Sequence, residues 1–129
     1  MDWREKIDRI NKAKKEGVEV RVETFIFRLL PIAPEHGKRL REKAKELGVI
    51  TVDHLNDEEI YDVMIETSVR GWKGFEEEGK EIPFSIEKAK EILLEKDGDG
   101  NLIFGDTLSK IGNIIAQEEL LYREALIKN

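Results

Sequence analysis

The sequence predicts an α+β fold that is mainly helical, with about five helices and a short pair of β-strands near the N-terminus. Three features indicate this fold. Apolar residues recur at helical spacing through most of the chain, the spacing changes to two over residues 18–30, and glycines and prolines separate the periodic segments. Because 129 residues suit one hydrophobic core, we expect residues 1–129 to form a single domain.

The first helix is predicted over residues 2–15. Asp2 suits its N-cap, and Glu5 stands three residues later, as in a capping box. Gly17 is expected to end the helix. One apolar stripe, with positions at i, i+4 and i+7, consists of Trp3, Ile7 and Ile10.

Residues 18–30 are predicted to form a strand pair. The apolar side chains first occupy even positions and then odd positions. A strand cannot change its apolar face in this way without an extra residue or a turn, which we place near Glu23-Thr24. A tight hairpin and a single bulged strand both explain the change. The alternating residues are Val18, Val20 and Val22, followed by Phe25, Phe27 and Leu29.

Two further helices are predicted before residue 76. The first begins near Pro34 and stops at Gly48. The second is capped by Asn56, with Glu59 in the boxed position. This helix runs into residues 70–75, where two glycines are expected to break it.

The last part of the chain is predicted to hold two helices. A charged loop over residues 76–83 leads to Ser85, which suits the cap of a helix that ends at about Glu95. A polar turn follows at residues 97–101, and a final helix begins with Asp106 as its N-cap and runs almost to the end. Its apolar stripe includes Leu108, Ile111, Ile115, Tyr122 and Ala125.

Composition excludes several classes of function. The chain has no cysteine, which rules out disulfides, Cys-based metal sites and thiol nucleophiles. Its net charge of −6 opposes binding to phosphate backbones, so we expect no nucleic-acid partner. No apolar stretch approaches the ~20 residues of a membrane span, and the N-terminus lacks the apolar centre of a signal peptide. We therefore expect no membrane association and a cytoplasmic location.

The residues capable of chemistry are not arranged as a catalytic site. His36 and His54 have no partner at metal-ligand spacing, and we interpret both as surface residues. The serines stand in no nucleophile elbow, and the glycines form neither a Walker loop nor a dinucleotide fingerprint. We predict that the protein is not an enzyme and has no cofactor.

The segment 95–106 carries an alternative hypothesis, an EF-hand-like calcium site. Acidic residues fall at positions 1, 3 and 5 of a twelve-residue loop, and Gly100 falls at the sharp turn. Against this, position 1 is Glu, position 12 is Asp, and the preceding helix has charged residues where an EF-hand has apolar ones. We assign no metal site, and keep Ca²⁺ binding as the alternative, with ligands Asp97, Asp99, Asn101 and Asp106.

Residues 65–95 carry a recognisable pattern. Gly71-Trp72-Lys73-Gly74-Phe75 follows a helix, an acidic loop with a glycine comes next, and Pro83-Phe84-Ser85 opens a helix that ends in Leu93-Leu94. This order resembles the tail assembly chaperones of long-tailed, siphovirus-type bacteriophages and prophages, with a family-like core over about residues 57–127.

The resemblance implies a non-enzymatic helper in the cytoplasm of a bacterial host. Its partners would be the tape-measure and tail-tube proteins of the phage, and self-association stays open. Trp72 and Phe75 lie between the glycines of the matched segment, where large aromatic side chains either pack on the core or anchor a partner. We take these two residues as the candidate partner-binding residues.

Overall fold

The computed structural model describes residues 2–127, which confirm an α+β, mainly helical architecture. The expected count of about five helices is wrong, because these residues form six. The helices are α1 Trp3–Glu16, α2 Pro34–Glu46, α3 Asp57–Ser68, α4 Ile86–Leu93, α5 Gly105–Ile115 and α6 Glu118–Ile127. The strands are β1 Val18–Val22, β2 Phe25–Leu29, β3 Val69–Lys73, β4 Glu76–Glu77 and β5 Lys80–Glu81.

The N-terminal strand pair is a tight hairpin, which decides between the two options that the sequence left open. β1 and β2 are antiparallel, and Val22 pairs with Phe25 across a turn of two residues, Glu23 and Thr24. The turn allows the apolar side chains to stay on one face of the sheet although their numbering changes from even to odd. Gly17 precedes the hairpin with a φ of 92°, and a Cβ there would approach the carbonyl oxygen of Leu29 to 3.0 Å.

A third strand, β3, replaces the irregular break that the sequence predicted at residues 70–75. α3 ends at Ser68, and β3 begins directly at Val69 and pairs antiparallel with β2. Gly71 disfavours continuation of the helix, while pairing with β2 gives Trp72 a buried place opposite Phe27. The strand order is therefore β1-β2-β3, and the predicted charged loop contains the small β4-β5 hairpin.

One hydrophobic core lies between the inner face of the sheet and the helices. Phe27 and Leu29 of β2 are fully buried there, together with side chains from α3, α4 and α5. The large apolar side chains that are fully enclosed include Phe27, Leu29, Val63, Ile65, Val69, Leu93, Leu108 and Ile111.

The predicted C-terminal helix is two helices, because the chain bends after Ile115. The side-chain amide of Gln117 donates to the carbonyl oxygen of Asn113 at 3.0 Å and so satisfies one carbonyl at the end of α5. The bend shifts the apolar stripe by one residue, so that Leu121 is buried and Tyr122 only half-buried. Tyr122 and Ala125 of the predicted stripe pack against the core only in part, and the prediction of one continuous helix is wrong.

The helix caps follow the sequence at three places and differ at a fourth. Asp2 caps α1 by accepting from the backbone N–H of Arg4, while Glu5 pairs with Arg9. Asn56 and Glu59 form the predicted capping box, and the Ser85 hydroxyl accepts from the backbone N–H of Lys88 at 3.0 Å. Asp106 is not the N-cap of the last predicted helix, since α5 begins at Gly105 and Phe104 occupies the cap position. Asp106 lies in the first turn, where its charge complements the helix dipole.

The apolar stripe predicted for the first helix does not face the core. Trp3 is 65% exposed and Ile7 is half exposed, whereas Ala13 is the buried side chain of α1. α1 packs against α6, where the Arg9 guanidinium donates to the carbonyl oxygen of Leu126 at 3.0 Å and the Lys14 ammonium lies 6.0 Å from the centroid of the Tyr122 ring. The N-terminal turns of α1 therefore extend beyond this contact.

The hairpin turn contains a testable source of strain. Glu23 has a φ of 59°, a conformation that favours glycine. We expect Glu23→Gly to raise the free energy of unfolding by about 0.5–1 kcal/mol, despite the loss of an exposed ion pair with Lys110. Urea denaturation measures the change. The matched control is Thr24→Gly, which should lower stability because Thr24 has a negative φ. A Glu23→Gly protein that is less stable than the parent would contradict the prediction.

Candidate functional site

Trp72, the first candidate partner-binding residue, lies in the core. It belongs to the inner face of β3, opposite Phe27, and is only 8% exposed. Its indole Nε1–H donates to the carbonyl oxygen of Ile82 at 2.8 Å, and its ring contacts Phe84 edge-on at a centroid distance of 5.3 Å. Trp72 therefore connects the sheet to the segment that leads into α4.

Phe75, the second candidate, is also buried. Its ring stacks on Phe25 with a centroid distance of 4.1 Å and an interplanar angle of 9°, and lies 4.4 Å from the indole of Trp72. Gly74 makes this possible, because its φ of 102° turns the chain back over the β1-β2 hairpin. Neither aromatic side chain lies at the surface, so their positions do not support a direct anchoring role and correspond to the core-packing interpretation.

The matched segment 65–95 is consequently a structural unit. The backbone N–H of Ile82 donates to the carbonyl oxygen of Phe75 at 2.7 Å, which closes the β4-β5 hairpin onto the end of β3. The residue types of the pattern are explained by this closure: glycine for the turn, large aromatic side chains for the core, and Ser85 for the helix cap.

The loop of the calcium alternative does not form a calcium shell in this conformation. Asp97 Oδ1 accepts from the backbone N–H groups of Asp99 at 2.8 Å and of Asn101 at 3.0 Å, so this carboxylate stabilises its own turn. Lys96 and Leu102 then form an isolated β-bridge. Within residues 2–127 no three His, Asp or Glu side chains gather in a way that would hold a metal ion. In this arrangement the acidic residues of the loop 95–106 do not fit a calcium ion.

A cluster of charges joins α2, α3 and α4. Asp62 of α3 accepts from Lys43 at 2.9 Å and pairs with Lys90 at 3.2 Å. Burial on its own raises the pKa of the Asp62 carboxyl, but the hydrogen bonds from the two lysines outweigh burial and lower the pKa overall. The basic segment of α2 is thus partly neutralised by acids on α3, a pairing between helices that the sequence could not reveal.

Arg39 extends this cluster. Its guanidinium donates to Glu42 at 2.8 Å and to Glu66 at 2.9 Å. These hydrogen bonds, that to Glu42 first, raise the pKa of Arg39 above its ordinary value. The arrangement ties α2 to α3.

His54 is exposed, whereas His36 is half-buried at the start of α2 and so lies at the surface only in part. The hydroxyl of Thr67 donates to the carbonyl oxygen of Val63 at 2.9 Å, which leaves it to accept from His36 Nδ1 at 3.1 Å. Burial lowers the pKa of His36. Burial between α2 and α3 therefore favours the neutral form of the ring.

Exposed apolar side chains mark two surfaces that sequence reasoning missed. The first, which we call the α1 surface, consists of Trp3 and Ile7, one helical turn apart. The second is a groove of about 790 Å³ between β1 and α6, with the exposed Leu120 at its side. The apolar stripe of α1 was visible in the sequence, but a stripe alone does not show whether another helix covers it.

The buried indole generates a stability prediction. We expect Trp72→Phe to lower the free energy of unfolding by about 1–3 kcal/mol, because the carbonyl oxygen of Ile82 loses its donor and the smaller ring leaves a void. The same replacement at the exposed Trp3 should change stability by less than about 0.5 kcal/mol. Chemical denaturation of the two variants compares them directly, and equal effects would contradict the assigned role of Trp72.

A second prediction concerns pH. Because the folded state lowers the pKa of His36 below 6.5, the unfolded chain binds this proton more readily, and stability should fall as the pH drops through about 6.5 and below. Urea denaturation across this range should show a weaker pH dependence in His36→Gln, with His54→Gln as the control. An NMR titration of His36 with a midpoint at or above 6.5 would overturn the assignment.

Comparison with known proteins adds no assignment at this point. No helix within residues 2–127 is long and apolar enough to cross a membrane. When the chain was compared with protein-family models, with curated protein sequences and with solved structures, none of them matched.

Proposed function

We propose that this protein is a non-enzymatic tail assembly chaperone of a long-tailed phage or prophage, and that it acts by binding other proteins. The single observation that carries the protein-binding role is the α1 surface, where Trp3 is 65% exposed and Ile7 lies beside it. Tryptophan is among the residues that contribute most to protein interfaces when a partner covers it. The more specific role as a tail assembly chaperone is supported by the pattern of residues 65–95.

The indole of Trp3 is oriented as an accessible anchor. The guanidinium carbon of Arg4 lies 5.1 Å from the centroid of the Trp3 ring, so that one cation holds the ring while most of its surface faces solvent. Asp2 caps the helix by accepting from the backbone N–H of Arg4 at 3.1 Å. The first turn of α1 therefore presents Trp3 from a formed helix, which limits the entropy lost on binding.

The proposed role separates two parts of the molecule. The residues of the matched pattern, with Trp72 and Phe75, build the core, while the α1 surface lies outside it. A client segment that buries apolar side chains against Trp3 and Ile7 would be kept from self-association. The proposed clients are the tape-measure protein and the tail-tube subunits, which the protein holds in the cytoplasm of the host until assembly.

The experiment is co-expression of this chain with the tape-measure and tail-tube proteins of the same genome. We expect more soluble client and co-purification of the client with this chain. The double variant Trp3→Ala/Ile7→Ala should reduce the co-purified client by about tenfold, because two neighbouring apolar contacts are lost.

The matched control is Ile50→Ala, which removes an apolar side chain that is 87% exposed outside the α1 surface. This variant should retain the client at the level of the parent chain. If neither solubility nor co-purification increases with the parent chain, the chaperone proposal is wrong. If the double variant and Ile50→Ala behave alike, the client binds elsewhere.

A further inference from the structure

β1 forms one open edge of the three-stranded sheet, since the strand order is β1-β2-β3. The two-residue turn makes Val22 and Phe25 the pair that closes the hairpin. Hydrogen-bonded and non-hydrogen-bonded pairs alternate along an antiparallel ladder. The main-chain groups of Val22 and Val20 therefore face β2, and those of Glu19 and Arg21 face the open edge.

The sequence of this edge strand is complementary to itself. β1 reads Val-Glu-Val-Arg-Val, with Val20 at its centre. If a second β1 pairs antiparallel with the first about Val20, Glu19 of each copy lies opposite Arg21 of the other, and valine lies opposite valine at the remaining positions. The two charged residues are also the ones whose main-chain groups face outward, so hydrogen bonding and charge favour the same register.

We propose that this chain forms a twofold dimer through antiparallel pairing of β1 with β1 of a second copy, centred on Val20. The two sheets then make one continuous sheet of six strands, in which neither β1 remains an edge. A twofold contact requires a surface that is complementary to itself, and β1 meets this requirement in its apolar pattern and in its charges.

The charged side chains of the edge strand lie on the outer face of the sheet. The carboxylate of Glu19 accepts from Arg28 at 3.0 Å and pairs with Lys73 at 3.2 Å, which holds it on the outer face of the sheet. Arg21 is exposed on the same face and has no ion pair within residues 2–127. Charged residues normally discourage pairing at sheet edges, but here each charge meets one of opposite sign.

The groove beside β1 gives the dimer a second area of contact. Between β1 and α6 it exposes apolar side chains, among them Ile114 and Leu120, and two arginines. The twofold axis at Val20 places this groove against the same groove of the second copy. Five residues of strand alone are a small interface, and burial of the groove adds apolar area to it.

The first test is the mass of the protein in solution, measured by sedimentation or by light scattering from micromolar to millimolar concentration. We expect a species of twice the chain mass. Arg21→Glu places like charges opposite each other at both symmetric positions and should raise the dissociation constant by about tenfold or more. Arg41→Glu makes the same charge change on the exposed side of α2 and should leave the dimer unchanged.

A second variant tests the main-chain hydrogen bonds between the two β1 strands separately from the charge at residue 21. In Arg21→Pro the missing N–H is one that faces the open edge, so the bonds between β1 and β2 remain while strand addition is blocked. We expect a folded monomer, with circular dichroism to check the fold.

Mixing provides a third measurement. Glu19→Arg and Arg21→Glu each give like-charge homodimers, but a heterodimer of the two pairs an acidic edge with a basic edge at every charged position. We expect dimers to form only when the two variants are mixed.

A parent chain that stays monomeric at all concentrations would overturn the proposal. So would Arg21→Glu and Arg21→Pro variants that dimerise as the parent does, because the contact would then lie elsewhere. The α1 surface takes no part in this pairing, so Trp3→Ala/Ile7→Ala should dimerise normally. The outcomes for the dimer and for client binding can thus be told apart.

Discussion

The hydrogen bond from the Trp72 indole to the carbonyl oxygen of Ile82 is the contact on which the rest of the structure depends. It holds the end of the sheet against the chain that leads into α4, at the place where the aromatic side chains of β2 and β3 meet. A buried tryptophan needs a partner for its N–H, and the β4-β5 hairpin brings the Ile82 carbonyl to it. The hairpin is short and exposed, yet it completes the core.

The sequence predicted those parts of the fold that are determined by local chemistry. The capping box at Asn56 and the Ser85 cap involve residues within one turn, and the two strands of the hairpin are neighbours in the chain. β3 could not be predicted in this way, because its partner β2 is separated from it along the chain by α2 and α3. Its five residues contain a glycine, and tertiary pairing outweighs their local preference.

The candidate site was harder to predict than the fold. Large aromatic side chains suit a core and an interface equally well, so the sequence could not decide the place of Trp72 and Phe75. Trp3 presented the opposite difficulty, since its helical spacing suggested burial and the structure leaves it exposed. Exposure depends on which helix covers which, and α6 contacts α1 at Arg9, beyond Trp3 and Ile7 in the chain. The sequence also could not show how the acidic residues of the loop 95–106 are used, because the Asp97 carboxylate accepts from the backbone N–H of Asp99 within the same turn.

The order of the strands has a consequence for the chain as it leaves the ribosome. β1 and β2 are complete before any of β3 has been translated, and the whole of α2 and α3 must emerge in between. During this interval Phe27 and Leu29 lack the partner strand β3, beside which they are buried in the folded protein. The nascent hairpin therefore exposes these apolar side chains until β3 and the helices of the core have been synthesised.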